Sequence, residues 1–216
     1  LIIHTGDFKI DQTPVDGQVM ELNRFAAYGD KGVLLMMADS TNAERPGYTQ
    51  SEKFVGETFD NEFRYAKNRI IIATFSSNVH RIQQICDTAA KYKRKVAVMG
   101  RSMVNVVNIS LKLGYLRVPE GLLIDIDEIR NYTNDHVVVI CTGSQGEPMS
   151  ALTRMSMGEN RKVQIVPGDT VIISAAPIPG NEKMVSNTIN HLYVLGAEVV
   201  YEKANGVHVS GHASQE

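Results

Sequence analysis

Two imidazoles, two hydroxyls and a glycine crowd the closing stretch Val207-His208-Val209-Ser210-Gly211-His212-Ala213-Ser214-Gln215-Glu216. Imidazole and hydroxyl groups donate hydrogen bonds to phosphate oxygens, and Gly211 lets the backbone approach a ligand with no Cβ in the way. The string is therefore a candidate phosphate-binding segment; a surface turn is the plainer alternative. Two carboxylates stand at comparable places near the other end. Asp7 follows Leu1-Ile2-Ile3-His4-Thr5-Gly6, so an apolar strand hands an acidic group to a glycine-eased turn, where it can bridge hard or borderline cations. Asp39 repeats the arrangement after Val33 to Ala38, with Ser40-Thr41-Asn42 behind it, and can orient a metal-bound histidine from outside the ligand shell. Each Asp also reads as a cap or turn residue.

These groups need a scaffold, and the periodicity supplies one. From residue 69 onward, β-branched runs alternate with helical patterns, the signature of βαβ units and a mainly parallel sheet flanked by helices, an α/β fold. The runs are 69–74, 95–99, 136–141, 170–174 and 198–201. Between them Val79, Ile82, Cys86 and Ala89 recur at helical spacing, as do Val104, Val107 and Leu111 with Met103 and Val106 on the flank. Thr49-x-x-Glu52 has capping-box form, predicting a helix from Thr49 or Ser51 that turns Val55, Phe59, Phe63 and Ala66 inward. Another helix is expected from about Asn181 to Leu195, stopped by a left-handed Gly196. Ahead of these lie two short strands, Leu1 to His4 and Val33 to Ala38, bracketing a helical pattern through Val19, Leu22 and Phe25-Ala26.

In such sheets ligands bind beyond the carboxyl ends of the strands. Here those places hold Phe75-Ser76-Ser77-Asn78, Gly100-Arg101-Ser102, Thr142-Gly143-Ser144-Gln145-Gly146-Glu147-Pro148 and Ala175 to Asn181, which can either present N–H groups to phosphates or serve as ordinary caps and turns. His80, near a helix N-terminus among Ser77 and Asn78 with Arg81 beside it, is a further candidate phosphate contact. No G-x-G-x-x-G, no P-loop string and no G-x-S-x-G occurs, which argues against dinucleotide, NTP and serine-hydrolase sites.

Composition narrows the class. With 216 residues, 43% hydrophobic and 21% charged, the chain can bury a substantial core, and no apolar run approaches a bilayer span, so no membrane partner is expected. Cys86 and Cys141 each sit in an apolar stretch, as buried thiols of a reducing cytoplasm do. A net charge of −2 does not announce a nucleic-acid binder, although Lys91-Tyr92-Lys93-Arg94-Lys95 could form a local basic channel opposite Glu52, Glu57, Asp60 and Glu62.

Read in order, five strings resemble the β-CASP branch of the metallo-β-lactamase superfamily, and within it the ribonuclease J family. They are His4-Thr5-Gly6-Asp7-Phe8-Lys9-Ile10-Asp11, Ala38-Asp39-Ser40-Thr41-Asn42-Ala43, Ser77-Asn78-Val79-His80-Arg81-Ile82-Gln83-Gln84, Thr142-Gly143-Ser144-Gln145-Gly146-Glu147-Pro148-Met149-Ser150-Ala151 and His208-Val209-Ser210-Gly211-His212. The resemblance implies a partial metallo-β-lactamase strand layer at 1–47, a β-CASP domain at 48–206 and a return segment at 207–216. It implies that Asp7 is a metal ligand bridging two zinc ions, that Asp39 and His212 are catalytic, and that His208, Val209, Ser210, Gly211 and His212 bind substrate. The implied activity is zinc-dependent hydrolysis of RNA, endonucleolytic and 5′ to 3′ exonucleolytic, in cytoplasmic RNA and rRNA maturation and decay. The implied partners are single-stranded RNA, further copies of the full-length chain and other RNA-decay proteins.

The family's H-x-H-x-D-H string and its other histidine ligands do not occur here. With Leu in first place, the chain is expected to be a fragment that neither holds zinc tightly nor cleaves RNA by itself. Two alternatives stand beside this reading: a non-catalytic nucleic-acid or assembly module of the same fold, and an unrelated doubly wound small-molecule enzyme such as a sugar-nucleotide transferase. The nuclease reading further expects Asp7 and the terminal string to face one another across a cleft wide enough for a polynucleotide strand.

Overall fold

Hydrophobic periodicity places most of the elements correctly. In the computed structural model, which describes residues 1–201 and 206–216, the chain divides into two compact units, Leu1–Phe54 with Val209–Glu216, and Val55–His208.

The first unit is built on two short strands and a helix: β1 (Ile2–His4), α1 (Leu22–Asp30) and β2 (Leu35–Met37). The strands pair in parallel, Ile2 opposite Leu35 and His4 opposite Met37. Neither strand buries its side chains, and α1 has no buried residue. Polar ties replace a core. The Asp11 carboxylate accepts from Thr13 N, Ser51 Oγ and Glu52 N at 2.9, 2.9 and 3.1 Å, and Lys9 Nζ donates to Gln50 O and Ser210 O at 2.9 and 3.0 Å. The terminal segment is tied to the same unit through Ala213 N to Phe8 O and Gln215 N to Arg45 O.

The second unit carries α2 (Lys53–Tyr65, whose first turn begins in the first unit), β3 (Ile70–Ala73), α3 (Val79–Lys91), β4 (Lys95–Met99), α4 (Arg101–Leu113), β5 (Leu123–Ile124), β6 (Val137–Cys141), α5 (Ala151–Ser156), β7 (Thr170–Ile173), α6 (Glu182–Val194) and β8 (Glu198–Val200). Its six strands form one parallel sheet in the order β5-β4-β6-β3-β7-β8. Of the four inner strands, β6, β3 and β7 are buried at every position, as runs dominated by β-branched residues require when helices cover both faces. Ile71, Val139 and Val171 lie in register and share one cluster with Leu152 and Met155 of α5 and Val185, Ile189 and Leu192 of α6. Alternation turns Ile70, Ile72, Val138, Ile140 and Ile172 to the other face, where they are equally buried.

Several expectations need correction. Helix α2 starts at Lys53, whose N donates to Ser51 Oγ at 3.2 Å, so of the two expected starts the one at Ser51 is the nearer; the Thr49 hydroxyl is bound to His212 O and Ser214 Oγ instead. It does bury Val55, Phe59 and Phe63. On α4 the buried stripe is Met103, Val107 and Ser110, while Val104 is exposed, so the helix is rotated from the face its valines suggested. The short strand β5 and the short helix α5, capped by Ser150 accepting from Thr153 N, had no periodic signature. The basic run 91–95 does not line a channel: Arg94 is buried and donates to the Ala66 and Asn68 carbonyls, Lys91 pairs with Asp60, and Lys95 Nζ donates to Gly121 O.

Candidate functional site

The ends of β1 and β2 are stitched together, and that stitching brings the two candidate carboxylates to one place. Thr5 N donates to Met37 O at 3.0 Å, and Asp39 N donates to Thr5 Oγ1 at 3.1 Å. Between Thr5 and Asp7 the chain turns through Gly6 at φ +64°, a conformation that glycine adopts without penalty. Asp7 and Asp39 thus leave the parallel pair at its carboxyl edge.

Asp39 is saturated with donors. Oδ1 accepts from Thr41 N and Thr41 Oγ1 at 3.0 and 2.7 Å, and Oδ2 accepts from Phe8 N at 3.3 Å and from His212 Nδ1 at 2.7 Å. The Thr41 amide and hydroxyl, then the His212 ring and the Phe8 amide, hold its carboxyl well below the usual carboxylate range. An ionised carboxylate only accepts, so His212 Nδ1 must carry the hydrogen, and Nε2 is the nitrogen left to act outward. The stability that these hydrogen bonds to Asp39 lend, those from Thr41 foremost, is present above the ordinary carboxylate range and is lost as pH falls through the lower folded value.

The main chain around His212 is fixed as firmly as its ring. Asn42, itself buried, donates from Nδ2 to Ser210 Oγ at 2.9 Å and to His212 O at 3.4 Å; Thr49 Oγ1 donates to His212 O at 2.9 Å; Ser210 Oγ accepts from His212 N at 3.1 Å. Asn42 and Thr49 went unrecognised in the sequence, where they read as turn and cap residues.

Asp7, Asp39 and His212 each offer a ligand atom, and all of these lie within 4.8 Å of one another. Two carboxylates and an imidazole suit a hard or borderline divalent cation such as zinc. The three are not equivalent, however. Asp39 is committed to its donors, whereas Asp7 is exposed and its carboxylate makes no hydrogen bond among the described residues. Of the two carboxylates, Asp7 is thus the one open to a cation, while Asp39 orients His212. The expectation of Asp7 and the terminal string on opposite walls of a strand-wide cleft is corrected here, because Asp7 and His212 are immediate neighbours.

The family model described as "Ribonuclease J, beta-CASP domain" matches residues 67–192, more than half of the chain. Ribonuclease J of Synechocystis is 50% identical over 216 residues, covering 100% of this chain and 34% of that protein. Ribonuclease J of Thermus thermophilus is 50% identical over 215 residues, with 100% and 37% covered, and ribonuclease J2 of Bacillus subtilis is 44% identical over 215 residues, with 100% and 39% covered. The chain belongs to the ribonuclease J family. It spans about a third of the length of these curated relatives.

Within this member of the family, the string 208–212 crosses from one unit into the other along the chain. His208 lies in the second, where its Nδ1 is 2.9 Å from Arg81 Nη1; Val209, Ser210, Gly211 and His212 lie in the first. Val209 is buried, Ser210 is bonded to Asn42 and His212, and Gly211 is exposed. The other family string, Thr142 to Ala151, is occupied with packing. Gln145 is buried, donates to Ala176 O and accepts from Ile178 N, tying the loop after β6 to the loop after β7. Gly146, at φ +70°, sits where a Cβ would come within 2.5 Å of the Met184 carbonyl carbon. His80 is exposed on α3, and Arg81, beside it in sequence, is fully buried.

Proposed function

We propose that this chain is the β-CASP-bearing part of a zinc-dependent ribonuclease that cleaves single-stranded RNA. One observation carries the reading: His212, 173 residues beyond Asp39, has its ring clamped by that carboxylate beside an uncommitted Asp7. A phosphodiester hydrolase needs an anchored metal ligand and an oriented proton-bearing group next to it, and this arrangement offers both.

Asp7 would hold zinc, together with ligands from the family's histidine-rich string; zinc supplies Lewis acidity and activates water for attack on phosphorus. Asp39 keeps the imidazole in one orientation with its Nδ1 proton assigned. Only a ring that carries a second proton, on Nε2, donates to a phosphate oxygen as charge develops, and Asp39 would balance that cationic form; with the proton on Nδ1 alone, Nε2 accepts. Thr49 and Asn42 hold the His212 backbone against displacement by the substrate. His208, Ser210 and Gly211 present the remaining polar and backbone groups along the RNA.

The full-length protein on this reading acts endonucleolytically and from the 5′ end in cytoplasmic RNA and rRNA maturation and decay, as an oligomer and alongside other RNA-decay proteins. Two buried, unpaired thiols favour a reducing compartment, and no helix among the described residues is long and apolar enough to cross a membrane. Residues 1–216 by themselves are expected to bind RNA in a salt-sensitive manner without cleaving it. The test is His212→Ala in the full-length protein, which should lower turnover on the order of a hundredfold while RNA affinity changes less than about threefold. Equal losses in both would make His212 a simple binding residue.

A further inference from the structure

Arg81 has no place in the chemistry described above, yet it is the largest fully buried side chain among the described residues. It occupies the first turn of α3, where the Asn78 side chain caps its backbone amide at 3.0 Å. The guanidinium points inward. Nη1 donates to Ser174 O, just past β7, at 2.7 Å, and lies 2.9 Å from His208 Nδ1. A guanidinium has no acceptor and keeps its protons throughout the accessible pH range, so Nδ1 of His208 must be the acceptor. Ser174, also fully buried, adds a second tie through its hydroxyl, which donates to Val207 O at 2.5 Å, while its carbonyl accepts from Thr74 Oγ1 as well. Two consecutive residues of the return segment, Val207 and His208, are thereby fastened to the carboxyl end of the central sheet by one arginine and one serine.

We propose that Arg81 is a positioning residue for RNA binding: through its bond to Nδ1 it fixes the ring of His208 at the start of the return segment, whose main chain Ser174 holds at Val207. The proposal rests on the ribonuclease reading of the 208–212 string. Surface lysines and arginines bind phosphate directly; this arginine is buried too deeply to touch RNA and acts on it only by way of His208. Lysine does not reproduce it, because an ammonium on a flexible stem lacks the planar guanidinium that holds Nη1 between Ser174 O and His208 Nδ1.

The experiment uses the full-length protein with 15N-labelled histidine and a single-stranded RNA oligonucleotide. Arg81→Met and Arg81→Lys are compared with His208→Ala and with each double variant, reading the His208 ring-nitrogen resonances without RNA, then KM and kcat. The expected result is a shifted His208 Nδ1 resonance in both Arg81 variants and a KM raised roughly tenfold, the effect of losing a charge-assisted hydrogen bond. Turnover number should change less than about threefold, and adding His208→Ala should raise KM little further, because the two residues act as one. Should Arg81→Met fail to fold, Arg81→Lys provides the same readouts. An unmoved His208 resonance, or a KM effect additive with that of His208→Ala, overturns the proposal and leaves the ribonuclease reading intact. A shifted resonance with unchanged KM overturns the functional half. Absence of RNA binding by the unmutated protein defeats both.

Discussion

The two units of this molecule are held together by opposite means. In residues 55–208 the strands β6, β3 and β7 are sealed on both faces and, apart from Thr170, apolar, and buried polar side chains such as Arg69, Arg81 and Thr88 are held by hydrogen bonds within that core. In residues 1–54 and 209–216 the strands leave Ile2, Leu35, Met36 and Met37 exposed, and order comes from side-chain hydrogen bonds between segments far apart in sequence. The contrast teaches where rigidity and chemistry can coexist. An apolar core tolerates few uncommitted polar groups, so the cluster of Asp7, Asp39 and His212 stands where polar bonds, already needed for structure, can double as its supports.

That comparison can be broken at its strongest point first. Phe59→Ala, in the sealed unit, should cost about 3–5 kcal/mol in urea unfolding of the 216-residue chain, whereas Leu35→Ala should change stability by less than about 0.5 kcal/mol. Equal costs would mean that both units depend on apolar burial alike. Asp169→Ala should cost nearly as much, about 3 kcal/mol or more, because it leaves the Arg69 guanidinium buried without its carboxylate partner. In the polar unit, Asn42→Ala should cost about 1 kcal/mol, yet broaden or shift the His212 resonances, a local effect that no equal loss of core packing reproduces.

The smallest effect is an absence of reaction. Burial pushes the Cys86 thiol up to about 12, with the nearby Asp87 charge adding to it, and burial raises Cys141 as well. Neither should be labelled by a thiol reagent at pH 8 until the sealed unit unfolds. Both folded values lie above the ordinary thiol range, so the stability tied to these protons is complete below that range. It is lost as pH climbs toward 12.

How much of this was legible follows the same division. The runs at 70–73, 137–141 and 170–173 announce buried parallel strands by being β-branched at all but their last positions in the first two and throughout in the third, and the Val55, Phe59, Phe63 face of α2 announces itself by its spacing. Asp7 and Asp39 stood out because each follows a strand. The clamp between Asp39 and His212 has no local signature, since it joins residues 173 apart, and Asn42 and Thr49 looked like turn chemistry. The burial of Arg81 did leave a trace, unread: it lies one turn ahead of Ile85 and next to Ile82, on the inward face of α3. A charged residue at a core position of a helix is a reason to seek its acceptor, here supplied by the return segment.

Asp39 and His212 are proposed to act as one unit beside Asp7. The most direct measurement is a double-mutant cycle in the full-length protein, with single-turnover cleavage of a single-stranded RNA by Asp39→Ala, His212→Ala and the double variant. The account predicts that each single change costs on the order of a hundredfold and that the double variant is scarcely slower than either. Losses that multiply in the double variant would show two independent roles and contradict it.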